Sequence, residues 1–320
     1  MKIELLIENS GSVYTPLLED GIVWTTQRSG VCGELAFSVL KDESINFKEG
    51  NAVRLRVNDT DVFSGFVFTK ERTKDRFISV TAYDQLRYLK NRYPYVYTNL
   101  KANEVLQMIA EDFQLTVGET EDTGYAIPSR VEDNTTLFDI VETAIRLTYE
   151  NTGAMFVLYD DFGKLALKNI ESLFVPVVVD AETAIDYEYA STIDRETYNK
   201  VELVYADEEV GKKEVYVATD DAHVAEWGVL QYFDTLEDNE HGQTKAEIIL
   251  GLRNRKRRTL SIQNAFGDLR VRGGSMIIVQ LNIGDMILSQ SMLVESCEHV
   301  FREGEHFMDL KLVGGEFESG

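Results

Sequence analysis

The chain has 320 residues, beyond the roughly 100 to 200 of a usual single-core domain, so about two or three packing units are expected. Hydrophobic residues make up 44% and only 4 residues are proline, which excludes a disordered composition and predicts a compact soluble protein. Lys+Arg total 32 against Asp+Glu 55, a formal charge of -23 that repels phosphate backbones and anionic membrane surfaces and argues against coating DNA.

At the N-terminus, MKIELLIENS carries one lysine and a short apolar run broken by Glu4 and Glu8. It lacks the uninterrupted apolar centre of a signal peptide, so synthesis in the cytoplasm is expected. No stretch approaches the roughly 18 apolar residues of a membrane span, and no membrane insertion by this chain is expected. The cysteines, Cys32 and Cys297, lie far apart without metal-type spacing. Residues 2–84 then read as short strands at close intervals: KIELLIEN, GIVWTTQR, GELAFSVL, AVRLRVND, DVFSGFVFTKER and RFISVTAYD. Ser29-Gly30 and Asn58-Asp59 punctuate them as hairpin turns, which predicts an antiparallel barrel or sandwich. In AVRLRV, Val53, Leu55 and Val57 alternate with Arg54 and Arg56, so one face packs inward and the other meets solvent or a partner.

After Tyr83 the texture changes. Tyr83, Tyr88, Tyr93, Tyr95 and Tyr97 crowd one stretch around Pro94, which marks a domain boundary and predicts a packed linker or interface at Tyr93, Tyr95 and Tyr97. Residues 99–113 place Leu100, Val105, Leu106, Met108, Ile109 and Phe113 at helical spacing, with Thr98 or Asn99 as N-cap. A second helix is expected over 136–151, with Thr136 and Asp139 in a capping-box-like arrangement and Gly153 as its stop. The hairpin AMFVLYDDFGKLALKNI follows, turning at residues 161–163, so 96–175 reads as a small α+β unit.

Strands resume at IDYEYASTIDRETYNKVELVYAD, and residues 207–240 are acidic, with no secondary structure assigned to them. Residues 245–255 approach helical spacing, and RTLSIQNAF, MIIVQLN, DMILSQSMLVESCEHVF and HFMDLKLVG end the chain as antiparallel strands. Two β units bracketing an α+β unit are therefore expected. In LRNRKRRTL, Arg253, Arg255, Lys256, Arg257 and Arg258 repel one another and need counter-charges. Acidic segments of this chain such as Glu237-Asp238, an acidic face of a neighbouring subunit, or nucleic acid would each serve; a helix C-terminus accommodates some of them.

No catalytic, cofactor-binding or metal-binding residue is assigned. Nucleophilic catalysis needs a side chain poised beside a base, and the 4 histidines sit in no recognisable motif. His299, Glu305 and His306 flank a turn at Glu303-Gly304 and would be the candidates for a metal cluster; a hairpin with Met308, Leu310 and Leu312 inward and the histidines at its tip or an interface explains the same pattern. Asp160-Asp161 and Asp220-Asp221 do not by themselves place two carboxylates across a sugar cleft, and a solvated acidic surface explains them. Gly273-Gly274 and Gly284 lack the strand-glycine-helix context of a phosphate loop and read as turns.

AYDQLRYLKNRYPYVYTNLKANEVLQMIAEDF (82–113), DRETYNKVELVY (194–205), GSMIIVQLNIGD (274–285) and HVFREGEHFMDLKL (299–312) resemble segments of the PBSX-type, XkdQ-like baseplate hub proteins of phage tails, in the same order. That family is similar to the central hub of contractile-tailed myophages and to the hub part of type VI secretion spike proteins. The resemblance implies an α+β, mainly antiparallel β fold with two barrel-like hub domains and an inserted or peripheral α+β domain. On the sequence this maps to 1–95 and 176–215 with 256–320 as barrels, 96–175 as the α+β domain and 216–255 as a peripheral acidic and helical insertion. It implies a non-enzymatic homotrimer between a six-fold tail tube protein and a three-fold spike, touching other baseplate proteins and passing tape-measure protein or DNA through its lumen. Assembly would be into the tail baseplate of a virion or tail-like particle. A tail-tip adhesin and a glycan- or peptidoglycan-degrading tail component remain the alternatives.

Overall fold

The computed structural model describes all residues except 42–44, 181–182, 184–185, 208–210, 237–240, 284–286 and 315–320, and except the side chains of Asp207 and Lys212. The first β unit comprises β1 (Ile3–Asn9), β2 (Ser12–Tyr14), β3 (Ile22–Gln27), β4 (Glu34–Leu40), β5 (Ala52–Val57), β6 (Thr60–Arg72) and β7 (Phe77–Tyr83). These pair antiparallel in the order β3-β4-β7-β6-β5-β1-β2. Alternation drives the packing: Val53, Leu55 and Val57 are buried with Leu5, Ile7, Leu35, Phe37 and Val80, while Arg54 and Arg56 face outward. Asn58 and Asp59, with φ of 48° and 63°, turn β5 into β6 in the left-handed backbone that a tight hairpin requires.

A 3-10 turn (Gln85–Lys90) leads into β8 (Tyr95–Leu100), α1 (Ala102–Asp112), β9 (Val117–Thr120), β10 (Ile127–Glu132), α2 (Leu137–Thr152), β11 (Phe156–Asp160) and β12 (Leu165–Asn169). Their shared core joins Leu86 and Leu89 of the turn to Val105, Leu106, Ile109, Ile140, Val141, Leu158 and Leu167. α2 starts and stops as its sequence predicts. Thr136 Oγ1 accepts from the Asp139 N–H at 3.1 Å, and Gly153 closes the helix at φ 74°. The first helix differs from expectation. Residues 95–100 form a strand against β10, and α1 is capped at Lys101 rather than Thr98 or Asn99, with the Glu104 carboxylate accepting the Lys101 N–H at 2.8 Å. Tyr95 and Tyr97 alternate inward with exposed Val96, a period of two that decides for strand over helix.

The remainder comprises β13 (Phe174–Asp180), β14 (Asp186–Thr192), β15 (Lys200–Asp207), β16 (Lys212–Thr219), α3 (Asp221–Trp227), β17 (Gln231–Leu236), α4 (Gly242–Arg253), β18 (Arg257–Phe266), β19 (Met276–Asn282), β20 (Ile287–Arg302) and β21 (Glu305–Gly314). β14-β18-β21-β20 run antiparallel, with β19 and then β13 on the other edge of β20, over a core of Leu260, Ile262, Val279, Val294, Cys297 and Leu310. Residues 200–215, expected in the second β unit, pair elsewhere. β15 lies between β16 and β17 in a separate three-stranded sheet, because Val201 and Leu203 bury against Ala218 and against Ala246 of α4. The acidic segment to which the sequence assigns no secondary structure thus supplies β16, α3 and β17.

One strand unites the two β units. β20, 16 residues long, pairs with β19 over residues 287–293 and with β3 over 296–301, so a single 13-stranded sheet runs through both. Phe301 of β20 accordingly packs in the core of the first unit. The fold is α+β and mainly antiparallel β; β9–β12, β13–β19 and β15–β17 are parallel pairs.

Candidate functional site

The arginine run lies where α4 hands over to β18. Its counter-charges come from this chain: Glu196 accepts from Arg257 at 2.5 Å and forms an ion pair with Arg253 at 3.3 Å, and Glu226 accepts from Lys256 at 3.5 Å. Glu237-Asp238 lies outside the described residues. Lys256 also sits 5.7 Å from the Trp227 ring centre, and the Arg255 carbonyl accepts from Thr197 Oγ1 at 3.0 Å. Arg258 lies on β18 opposite Ser191 of β14 and Gly314 of β21. Arg253, Arg255 and Arg257 then line a cleft of about 290 Å³ together with Arg28, Arg146, Glu142, Glu196 and Glu295. Arg28 bonds Glu295 at 2.9 Å. Burial raises the Glu142 carboxyl to about 6, against the opposing pull of Arg28 and the Gly30 N–H.

The tyrosines serve a different place. Tyr95 and Tyr97 are buried in the α+β core, where the Tyr95 hydroxyl donates to Asp112 at 2.7 Å, so their rings are spent inside the chain. Tyr93 is 52% exposed and lies edge-on to Tyr95 and Phe113. Val96 and Val131, cross-strand partners on the β8–β10 ribbon, are exposed as well. Tyr93 thus packs on Phe113 while the arginines pack on Glu196 and Glu226; each group is gathered separately.

Two buried polar clusters were not legible as such. Asp160, read with Asp161 as solvated surface, is buried: its Oδ1 accepts the Gly163 N–H at 2.6 Å and its carbonyl accepts from Arg272 at 2.9 Å. Arg272 lies over the Tyr159 ring at 4.1 Å. Nearby Asp84 accepts the Gly33 and Leu86 N–H groups at 2.8 and 3.0 Å. Burial raises Asp160 to about 6 and Asp84 well above the usual carboxylate range, the Asp160 charge adding to the latter. Gly273 and Gly274, expected as turns, follow Arg272 in the approach to β19; a methyl group at Gly273 would run into the Gln27 and Arg28 backbone, and one at Gly274 into Val157. The glycine pair was the available signal for this close approach, whereas nothing local announces the bond from Arg272 to the Asp160 carbonyl. Gly284 lies outside the described residues. Asp220, by contrast, caps α3, accepting the Ala222 and His223 N–H groups at 2.9 and 3.1 Å.

The second cluster holds the seam between the β units. His299 of β20 is fully buried, not at the hairpin tip, and stacks on Trp24 of β3 at 4.6 Å between centroids. Its Nδ1 is 2.8 Å from His306 Nε2 and its Nε2 2.8 Å from the Val271 carbonyl. Glu305 stays at the tip opposite Arg302, and Met308, Leu310 and Leu312 face the core. Among the described residues, no group of three or more His, Cys, Asp or Glu side chains is arranged to hold a metal ion. Also among them, no helix is long and apolar enough to cross a membrane.

The profile of the YQBQ-like family matches residues 22–313. The phage-like element PBSX protein XkdQ of Bacillus subtilis (strain 168) is 30% identical over 272 residues, covering 83% of this chain and 82% of that protein. The 43 kDa tail protein of prophage MuSo2 from Shewanella oneidensis superposes with a TM-score of 0.69 at 16% identity, covering 97% of this chain and 98% of that one. The E. coli c3393 protein, a type VI secretion component with structural similarity to T4 bacteriophage tail proteins gp27 and gp5, gives 0.61 at 11% identity, covering 99% and 78%. The two structural likenesses are likenesses of fold.

Proposed function

The chain belongs to the YQBQ-like family, and on that premise we propose that it is a non-enzymatic baseplate hub of a phage tail or tail-like particle, joining tail tube to spike. The observation that carries the proposal is the continuity of the sheet through β20, which fixes two β units edge to edge within one chain. Three copies with two such units each make a pseudo-six-fold ring, the symmetry an adaptor between a six-fold tube and a three-fold spike requires. The similarity of fold to prophage tail proteins over nearly the whole chain supports the same role.

In this reading the two β units form the ring, and the α1–α2 and β15–α4 units stand beside it. Tyr93 and the run from Arg253 to Arg258 are the candidate contact residues toward neighbouring copies and toward spike and other baseplate proteins. An acidic lumen wall would let tape-measure protein or DNA pass without adhering. Assembly is into the baseplate of a virion or released particle.

Cryo-electron microscopy of particles from an induced lysate tests this. Three copies of the chain in a ring where tube meets spike is the expected result. A peripheral position, or absence from that level, would overturn the proposal and favour an adhesin or a degradative tail component.

A further inference from the structure

Arginines are crowded into one concavity of a chain whose net charge is -23. Arg28, Arg146, Arg253, Arg255 and Arg257 line the cleft of about 290 Å³ together with Glu142, Glu196 and Glu295, and Arg146 also pairs with Glu150 at 2.8 Å. Glu196 alone receives two guanidinium groups, Arg253 and Arg257. Its backbone lies in the left-handed region at φ 56°, a conformation that glutamate rarely adopts and that is here used to hold a carboxylate against the arginines. The cleft is also lined by Ile145, Phe156 and Leu252. Planar guanidinium forks pair bidentately with carboxylates, and an apolar wall between them accepts an apolar side chain.

We propose that this cleft binds a short acidic segment of a partner protein, its carboxylates seated on Arg253 and Arg257 and a neighbouring apolar side chain on Ile145, Phe156 and Leu252. Glu196 occupies the position of the incoming carboxylate and competes with it. Nucleic acid fits less well: the three glutamates repel a phosphate backbone, the apolar wall offers it nothing, and the volume suits a few side chains rather than a duplex. The inference does not depend on the hub assignment, because the isolated chain can be assayed directly.

The probe is a fluorescein-labelled octapeptide alternating glutamate and leucine, followed by fluorescence anisotropy, with a lysine-leucine peptide and an oligothymidine as controls. Saturable, salt-weakened binding of the acidic peptide is expected. Arg253→Gln with Arg257→Gln should weaken it about tenfold or more, the loss of two charge-assisted contacts. Glu196→Gln should tighten it severalfold, an effect that a purely structural role for Glu196 would not produce. If the arginine double variant does not fold by circular dichroism, Arg146→Gln at its exposed position replaces it and should weaken binding about threefold. Absence of saturable binding, oligothymidine binding as tight as the peptide, or weaker binding to the Glu196→Gln chain would each overturn the proposal.

Discussion

Asp160 and His299 are both buried, and burial moves their proton affinities in opposite directions because each is pushed toward its neutral form. Asp160, at about 6, holds its proton more tightly folded than unfolded, so its contribution to stability is present at low pH and is lost as pH rises from the ordinary carboxylate range through about 6. His299, at about 3 beside His306 at about 4, is protonated more readily in the unfolded chain. Its contribution is present above about 6.5, the ordinary histidine value, and is lost as pH falls toward 3. Urea unfolding of Asp160→Asn across pH 4 to 7 should therefore show a shallower decline toward neutral pH than the native chain, leaving the part due to Asp84 and Glu142. His299→Gln should flatten the decline toward acid, leaving the part due to His306. An unchanged pH profile in the Asp160 variant would mean that this carboxyl does not titrate in the folded state. None of this could be read from the sequence. Asp160 sits beside a turn, where a carboxylate is ordinarily solvated, and its cation, Arg272, is 112 residues away.

Elements were more legible than residues, since periodicity is local. The long alternating strands and the Thr136-to-Gly153 helix are fixed by the chain's own spacing and caps. β8 was hidden because Leu100 suits either a helical stripe or the end of a strand, and only the partner β10 settles the choice. The Arg253–Arg258 run stood out as charge, but its partner Glu196 did not, being one glutamate among many until the fold brings it across. The pairing of β3 with β20 can be tested by breaking it. Thr25 faces Glu298 across that ladder and Glu34 across the other, so Thr25→Pro removes a backbone donor from a strand paired on both sides, a place where sheets do not accommodate proline. Differential scanning calorimetry should then resolve two transitions where the native chain gives one. A single transition at reduced temperature would mean that the β units are coupled by something other than this strand pair.

For the whole molecule, the bracketing of an α+β unit by two β units was visible in the order of patterns. Their fusion into one sheet was not, because Gln27 and Ser296 are neighbours only in space. The charge of -23 bears on assembly. Copies of so acidic a chain repel at long range, and salt shortens that range from about 30 Å at 0.01 M to about 10 Å at 0.1 M. Sedimentation of the purified chain should accordingly show more self-association as salt is raised through this interval. Association that weakens with salt would place the opposite-charge contacts of the arginine run, rather than relief of repulsion, in control of assembly.

β20 has a further consequence when the molecule is loaded rather than dissolved. At about 3.4 Å per residue its 16 residues reach about 54 Å, through both β units. A pull along this strand strains its hydrogen bonds to β21, β19 and β3 together, in shear, instead of opening them one after another as peeling from an edge would. Tension applied along that axis is therefore shared over the whole ladder, and the seam between the units yields last where a flexible linker would yield first.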